Sequence, residues 1–134
     1  MSENSSDQTF GGLVRRKRET LNKTVEGFAR ELGMSKCYLS DIERGNKPAP
    51  ENFEEQFLRL LGISQTEAMT PGGFYDLAGK SREHHYKDLD SYLGSSEVAR
   101  YALRRARDLN IPDSKWHDFI RIIEPEQSGK KAKR

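Results

Sequence analysis

A chain with one cysteine and three histidines holds few side chains that do chemistry, and their spacing shortens the list further. His84 and His85 are adjacent, with Asp88 three residues on. No third ligand stands at a set distance, so the pair reads as exposed side chains rather than a metal site. Cys37 stands alone, which excludes an internal disulfide and a multi-cysteine zinc site. Its oxidation would alter whatever it faces, but a plain packing or contact role is the simpler reading. There is no glycine-rich phosphate loop and no nucleophile–base–acid set. An enzyme therefore has no positive support, and neither a cofactor nor a metal is expected. What remains is charge: the run Arg15-Arg16-Lys17-Arg18 and the helical stripe Arg100, Arg104 and Arg107. A solvated face is the default for both.

Elements must position those charges, and the clearest lie between Thr24 and Gly45. Thr24 is a helix N-cap, its hydroxyl meeting a free backbone N–H. Phe28, Ala29 and Leu32 fall on one helical face. Gly33 suits the left-handed conformation that ends a helix. Ser35 caps a second helix two residues later, Leu39 and Ile42 form its apolar side, and Gly45 closes it. Two short helices around a glycine-containing turn make a helix-turn-helix unit. In such a unit the second helix lies in the major groove of DNA, its N-terminal residues at the base edges.

On either side the pattern stays helical. Phe10, Leu13, Val14 and Leu21 predict a first helix over Phe10 to Leu21. Pro48 and Pro50 hold a loop extended, and Pro50 starts a helix. Glu51, Glu54 and Glu55 favour that helix's N-terminus, Phe53, Phe57, Leu58 and Leu61 give its face, and Gly62 its stop. Past Gly62, Phe74, Leu77 and Ala78 suggest a short helix, and Ser81 to Tyr86 a loop. Leu89, Tyr92 and Leu93 anchor a single turn. Ser95 or Ser96 caps a helix ending near Asn110, with Val98, Tyr101, Ala102, Ala106 and Leu109 apolar. Trp116, Phe119, Ile120 and Ile123 give the last helix its stripe. No stretch shows sustained period-2 alternation, so the chain is expected to be all-α.

The 134 residues are enough for one domain or two very small ones. An apolar fraction of 34% beside a charged fraction of 33% suits small helical domains with large solvated faces. Net charge is only +2, but it is unevenly spread. Residues 10–47 carry nine basic and five acidic side chains, whereas residues 48–79 carry one and five. The helix-turn-helix candidate thus sits in a locally positive segment. No apolar run approaches the ~20 residues that span a bilayer. The polar, acidic N-terminus is not a secretory signal. A soluble cytoplasmic protein, with no membrane partner, is the expectation.

The segment from Phe10 to Leu61 resembles the Xre family of bacterial and phage regulators, which includes the lambdoid repressors and Cro proteins. Leu21-Asn22, Phe28-Ala29, Leu32-Gly33, Met34-Ser35, Leu39, Ile42-Glu43, Gly45 and Pro50 carry the likeness in order and spacing, with Leu60-Leu61-Gly62-Ile63 as exit. The resemblance implies that Arg16 pairs with Glu43, holding the first helix against the recognition helix, 35–44. It places Lys36, Cys37, Ser40 and Asp41 at base-facing positions. It places Lys23, Thr24, Ser35, Tyr38, Arg44, Asn46 and Lys47 near the DNA backbone, although Tyr38 can equally pack inward. The family often has Gln or Asn where this chain has Lys36 and Cys37. Lys36 has no acceptor and favours guanine O6 and N7. Asp41 would accept from cytosine N4 or repel phosphate.

The expected organisation is a disordered N-terminus over residues 1–9, a lambda-repressor-like helix-turn-helix domain over 10–64, a smaller C-terminal helical region over 65–123, and a disordered basic tail over 124–134. In the C-terminal region Trp116 and Tyr101 are expected in a core against Phe74 to Leu93, part of it shared between subunits. The function implied is a DNA-binding transcriptional regulator. It would repress as a homodimer on an inverted repeat in double-stranded DNA, with residues 65–123 open to a protein partner. Two rivals stand beside it: an antitoxin that binds a toxin and its own operator, and a protein-interaction adaptor that has lost DNA binding.

Overall fold

A computed structural model describes residues 8–124. The expectations for residues 1–7 and for the tail 125–134 lie outside the described residues. Among those described, every element is helical: α1 (Phe10–Thr20), α2 (Val25–Leu32), α3 (Lys36–Glu43), a 3₁₀ turn (Glu51–Phe53) running into α4 (Glu54–Leu61), α5 (Gln65–Met69), α6 (Phe74–Ser81), α7 (Lys87–Ser95), α8 (Glu97–Leu109) and α9 (Asp113–Ile123). The all-α expectation holds. The chain divides into two compact units, Met1–Ser91 and Tyr92–Arg134, with the break inside α7.

The helix ends of the first unit follow local chemistry. Thr9, Thr24, Ser35 and Ser64 each accept a backbone N–H at their helix start. Gly33 and Gly62 terminate α2 and α4 at φ 79° and 69°. A side chain there would be strained, because L-residues other than glycine rarely enter the left-handed region.

The core centres on Phe10. Its ring meets Phe57 edge-on at 5.5 Å and Phe74 at 5.3 Å, and Phe57 meets Phe28 at 5.9 Å. Edge-to-face pairs of this kind add about 0.5–1.5 kcal/mol each beyond the area they bury. Val14, Leu39, Ile42 and Leu61 complete the packing. Leu21, expected on the apolar stripe of α1, caps the helix and is exposed.

Phe74, Leu77 and Ala78 of α6 are buried in this same core, and α6 packs on α1. The compact unit thus runs well past residue 64, the expected end of the first domain. α7 is also longer than the single turn anticipated over Asp88 to Leu93.

The second unit is built differently. Ser96 caps α8, Asn110 ends it in the left-handed conformation, and Pro112 starts α9. Trp116 and Phe119 meet edge-on at 6.0 Å. Neither helix has a buried residue. Val98, Tyr101, Leu109, Phe119, Ile120 and Ile123 are all exposed. Taken by itself, this pair of short helices encloses too little space to hide side chains of this size.

Candidate nucleic-acid interface

α3 presents the candidate site, and three things fix its pose. From beneath, Leu39 and Ile42 are wholly buried. At its start, Ser35 Oγ accepts the Tyr38 N–H at 3.0 Å. At its end, the Glu43 carboxylate is held in the interior. Arg18 Nε and Nη2 donate to its two oxygens at 2.7 and 2.9 Å, while Arg18 Nη1 donates to the Lys23 carbonyl at 2.8 Å. Side-chain exposure is 8% for Arg18 and 5% for Glu43. A planar guanidinium matches a carboxylate with two parallel bonds, so the contact fixes orientation as well as charge. Hydrogen bonding to Glu43 pushes the Arg18 guanidinium up from its ordinary value, so it stays charged although buried.

The expected partner of Glu43 was Arg16, and this is corrected: the partner is Arg18. The reason is helical phase. Gly11, Val14 and Arg18 stand at i, i+3 and i+7 and share the buried stripe of α1. Arg16 lies two residues earlier, about 200° around the helix, and is exposed.

A second unforeseen contributor is Gly11. A Cβ there would stand 2.3 Å from the Ile42 carbonyl oxygen and 2.5 Å from that of Glu43. Only glycine lets α1 approach the end of α3 this closely. The only hint of this in the sequence was a Gly-Gly pair inside an otherwise apolar helical face, where glycine is unfavourable unless packing requires it.

The expected contact residues fall into two groups. Lys36 and Cys37 sit exposed on the first turn of α3, with Ser40 and Asp41 half-buried one turn on. Asp41 is engaged: its carboxylate accepts from Arg44 Nη2 at 2.8 Å, and its carbonyl accepts the Asn46 N–H at 2.8 Å. Tyr38 is half-buried and packs in part against the core. Around α3, Asn46 and Lys47 are exposed in the following loop, and Thr24 is exposed at the start of α2. Lys23 Nζ donates to Glu31 at 2.8 Å and lies 5.6 Å from the Phe28 ring centre. Lys23, Thr24, Gly27, Arg30 and the Glu31 carboxylate that pairs with Lys23 line a shallow recess of about 300 Å³ at that helix start. No group of three or more His, Cys, Asp or Glu among the described residues could hold a metal.

Sequence comparisons point to the same helix-turn-helix class. A family model described as a helix-turn-helix domain matches residues 9–69. The uncharacterised HTH-type transcriptional regulator YazB of Bacillus subtilis (strain 168) is 34% identical over 64 residues, which is 48% of this chain and 93% of that protein. The chain belongs to the helix-turn-helix transcriptional regulators. No solved structure matches it significantly.

The 9–69 match ends before α6. Phe74, which closes the core against Phe10, therefore lies beyond the shared segment.

Proposed function

We propose that this DNA-binding regulator is of the Xre kind and represses transcription, binding an inverted repeat as a homodimer with α3 in the major groove. One observation carries the reading. The first turn of α3 is solvent-facing at Lys36 and Cys37, while its other face and its end are locked by Leu39, Ile42 and Glu43. A rigid helix with an open N-terminal turn is what base-edge readout requires. Lys36 would donate to guanine O6 and N7. Asp41, steered by Arg44, would accept from cytosine N4 or repel misplaced phosphate. Lys23, Thr24, Ser35, Arg44, Asn46 and Lys47 would meet the backbone and supply salt-dependent affinity. One domain touches few bases, so a two-fold dimer with half-sites ~34–36 Å apart gives the specificity.

Selection from random-sequence duplex DNA at several salt concentrations tests this. The expected product is a palindromic site leaning towards G·C pairs. Recovery of an unchanged pool at every salt concentration overturns the reading and favours an adaptor. A second reading is favoured by the exposed apolar side chains of α8 and α9, which suit a protein partner. In that case the chain is an antitoxin, and a small protein co-purifies with it.

No helix among the described residues is long and apolar enough to cross a membrane. A regulator acting on DNA in this way would work in the cytoplasm.

A further inference from the structure

The loop after α3 carries Asn46 and Lys47, and something must hold it still. Gly45 turns the chain at φ 83°. The Asn46 and Lys47 N–H groups donate back to the Asp41 carbonyl at 2.8 and 3.3 Å. The next anchor comes from far along the chain. Ala49 is buried, and both of its backbone groups are taken by the end of α6. Its N–H donates to Ser81 Oγ at 2.9 Å, and its carbonyl accepts from Arg82 Nε at 2.8 Å. Ser81 Oγ in turn donates to the Ala78 carbonyl at 2.7 Å. Arg82 Nη2 donates to Glu54 at 2.6 Å, and the Arg82 side chain is only 7% exposed.

The turn that delivers Arg82 is itself shaped for the task. Glu83 and His84 both take left-handed backbone angles, φ 58° and 70°. This reversal brings the Tyr86 ring over Gly79, where a Cβ would stand 2.1 Å from a ring carbon. The His84 ring then meets the Tyr86 hydroxyl at 2.8 Å. Two strained non-glycine residues in succession persist only where the surroundings over-determine them. Gly79 and the turn from Ser81 to Tyr86 lie beyond residues 9–69, the segment matched by the family model, while Ala49 and Glu54 lie within it.

We infer that Ser81 and Arg82 are positioning residues for DNA backbone contact, clamping Ala49 so that Asn46 and Lys47 meet phosphate already in place. This rests on the DNA-binding reading above. An ordered loop has less conformational freedom to lose on binding, which appears as affinity.

The test uses the full chain, a random-sequence duplex pool as probe, and a salt titration of the binding constant. Arg82→Ala should bind on the order of ten-fold more weakly and lower the salt slope by about one, as Lys47→Ala does. The double variant Lys47→Ala/Arg82→Ala should lose less than the sum of the two single losses, because both changes act on the same Lys47–phosphate contact. Arg82→Lys keeps the charge but not the fork, so it should restore only part of the loss. Should Arg82→Ala fail to melt cooperatively, Ser81→Ala serves in its place, removing the acceptor for the Ala49 N–H together with the local bond to the Ala78 carbonyl. Wild-type affinity and slope in a folded Arg82→Ala or Ser81→Ala variant overturn the inference, as do additive losses in the double variant or full rescue by Arg82→Lys. If the wild-type chain binds no duplex at any salt concentration, the DNA-binding reading itself falls.

Discussion

At the scale of single residues, the buried Arg18–Glu43 pair dominates. Removing one partner leaves the other charged and desolvated, which costs about 3–5 kcal/mol. Arg18→Ala should therefore lose that much stability in urea denaturation, while Arg16→Ala, at an exposed position, should lose less than half of it. Equal losses would contradict the assignment. Base readout is a separate matter. Lys36→Ala should cost ~1–3 kcal/mol on the selected site and flatten preference at one or two positions. Lys47→Ala should weaken all sequences alike. If both variants lose affinity equally on every sequence, Lys36 does not read bases. The Arg16 expectation shows where sequence reasoning stops. Four successive basic residues look alike in a string, and only the phase set by Gly11 and Val14 decides which one turns inward.

At the scale of elements, what the sequence could reveal was local. Thr24, Gly33, Ser35 and Gly62 act through their own backbone neighbourhood, and the structure places each in its expected capping role. Thr24→Ala should cost ~1 kcal/mol through the lost cap, read as a lower thermal midpoint. The seating of α1 on α3 was not legible, because it depends on an approach between residues some thirty positions apart in the chain. Gly11→Ala must push the Ile42 and Glu43 carbonyls aside. It should destabilise the fold by about 1–3 kcal/mol and also weaken DNA binding by tilting α3. A variant that keeps wild-type stability would show that the two helices can separate freely. The burial of Phe74 was illegible for a similar reason: its apolar neighbours predicted a helix but not which surface that helix covers.

At the scale of the whole molecule, the two units differ in how they hide apolar surface. The first encloses a full aromatic core. The second leaves Val98, Tyr101, Leu109 and Ile122 exposed, and 43 residues are too few for an independent core without help. Removing residues 92–134 should leave a cooperatively melting protein, since the buried core ends at Ala78. If these helices join the subunits of the proposed dimer, sedimentation should show the shortened chain as a monomer where the full chain is a dimer. A truncated chain that stays dimeric would move the interface into the first unit. Here the sequence was informative about amphipathic character and silent about the partner, because an apolar stripe shows that something is covered without saying by what.

The Arg18–Glu43 contact also has an evolutionary consequence. Losing either partner alone is severe, whereas replacing both with apolar side chains of similar volume is often neutral or better. Positions 18 and 43 are therefore separated from their apolar alternative by a fitness barrier that single substitutions do not cross cheaply. Among related chains the two positions should change together or not at all. A designed Arg18→Met/Glu43→Leu variant should cross that barrier in one step, keeping α3 seated by packing alone.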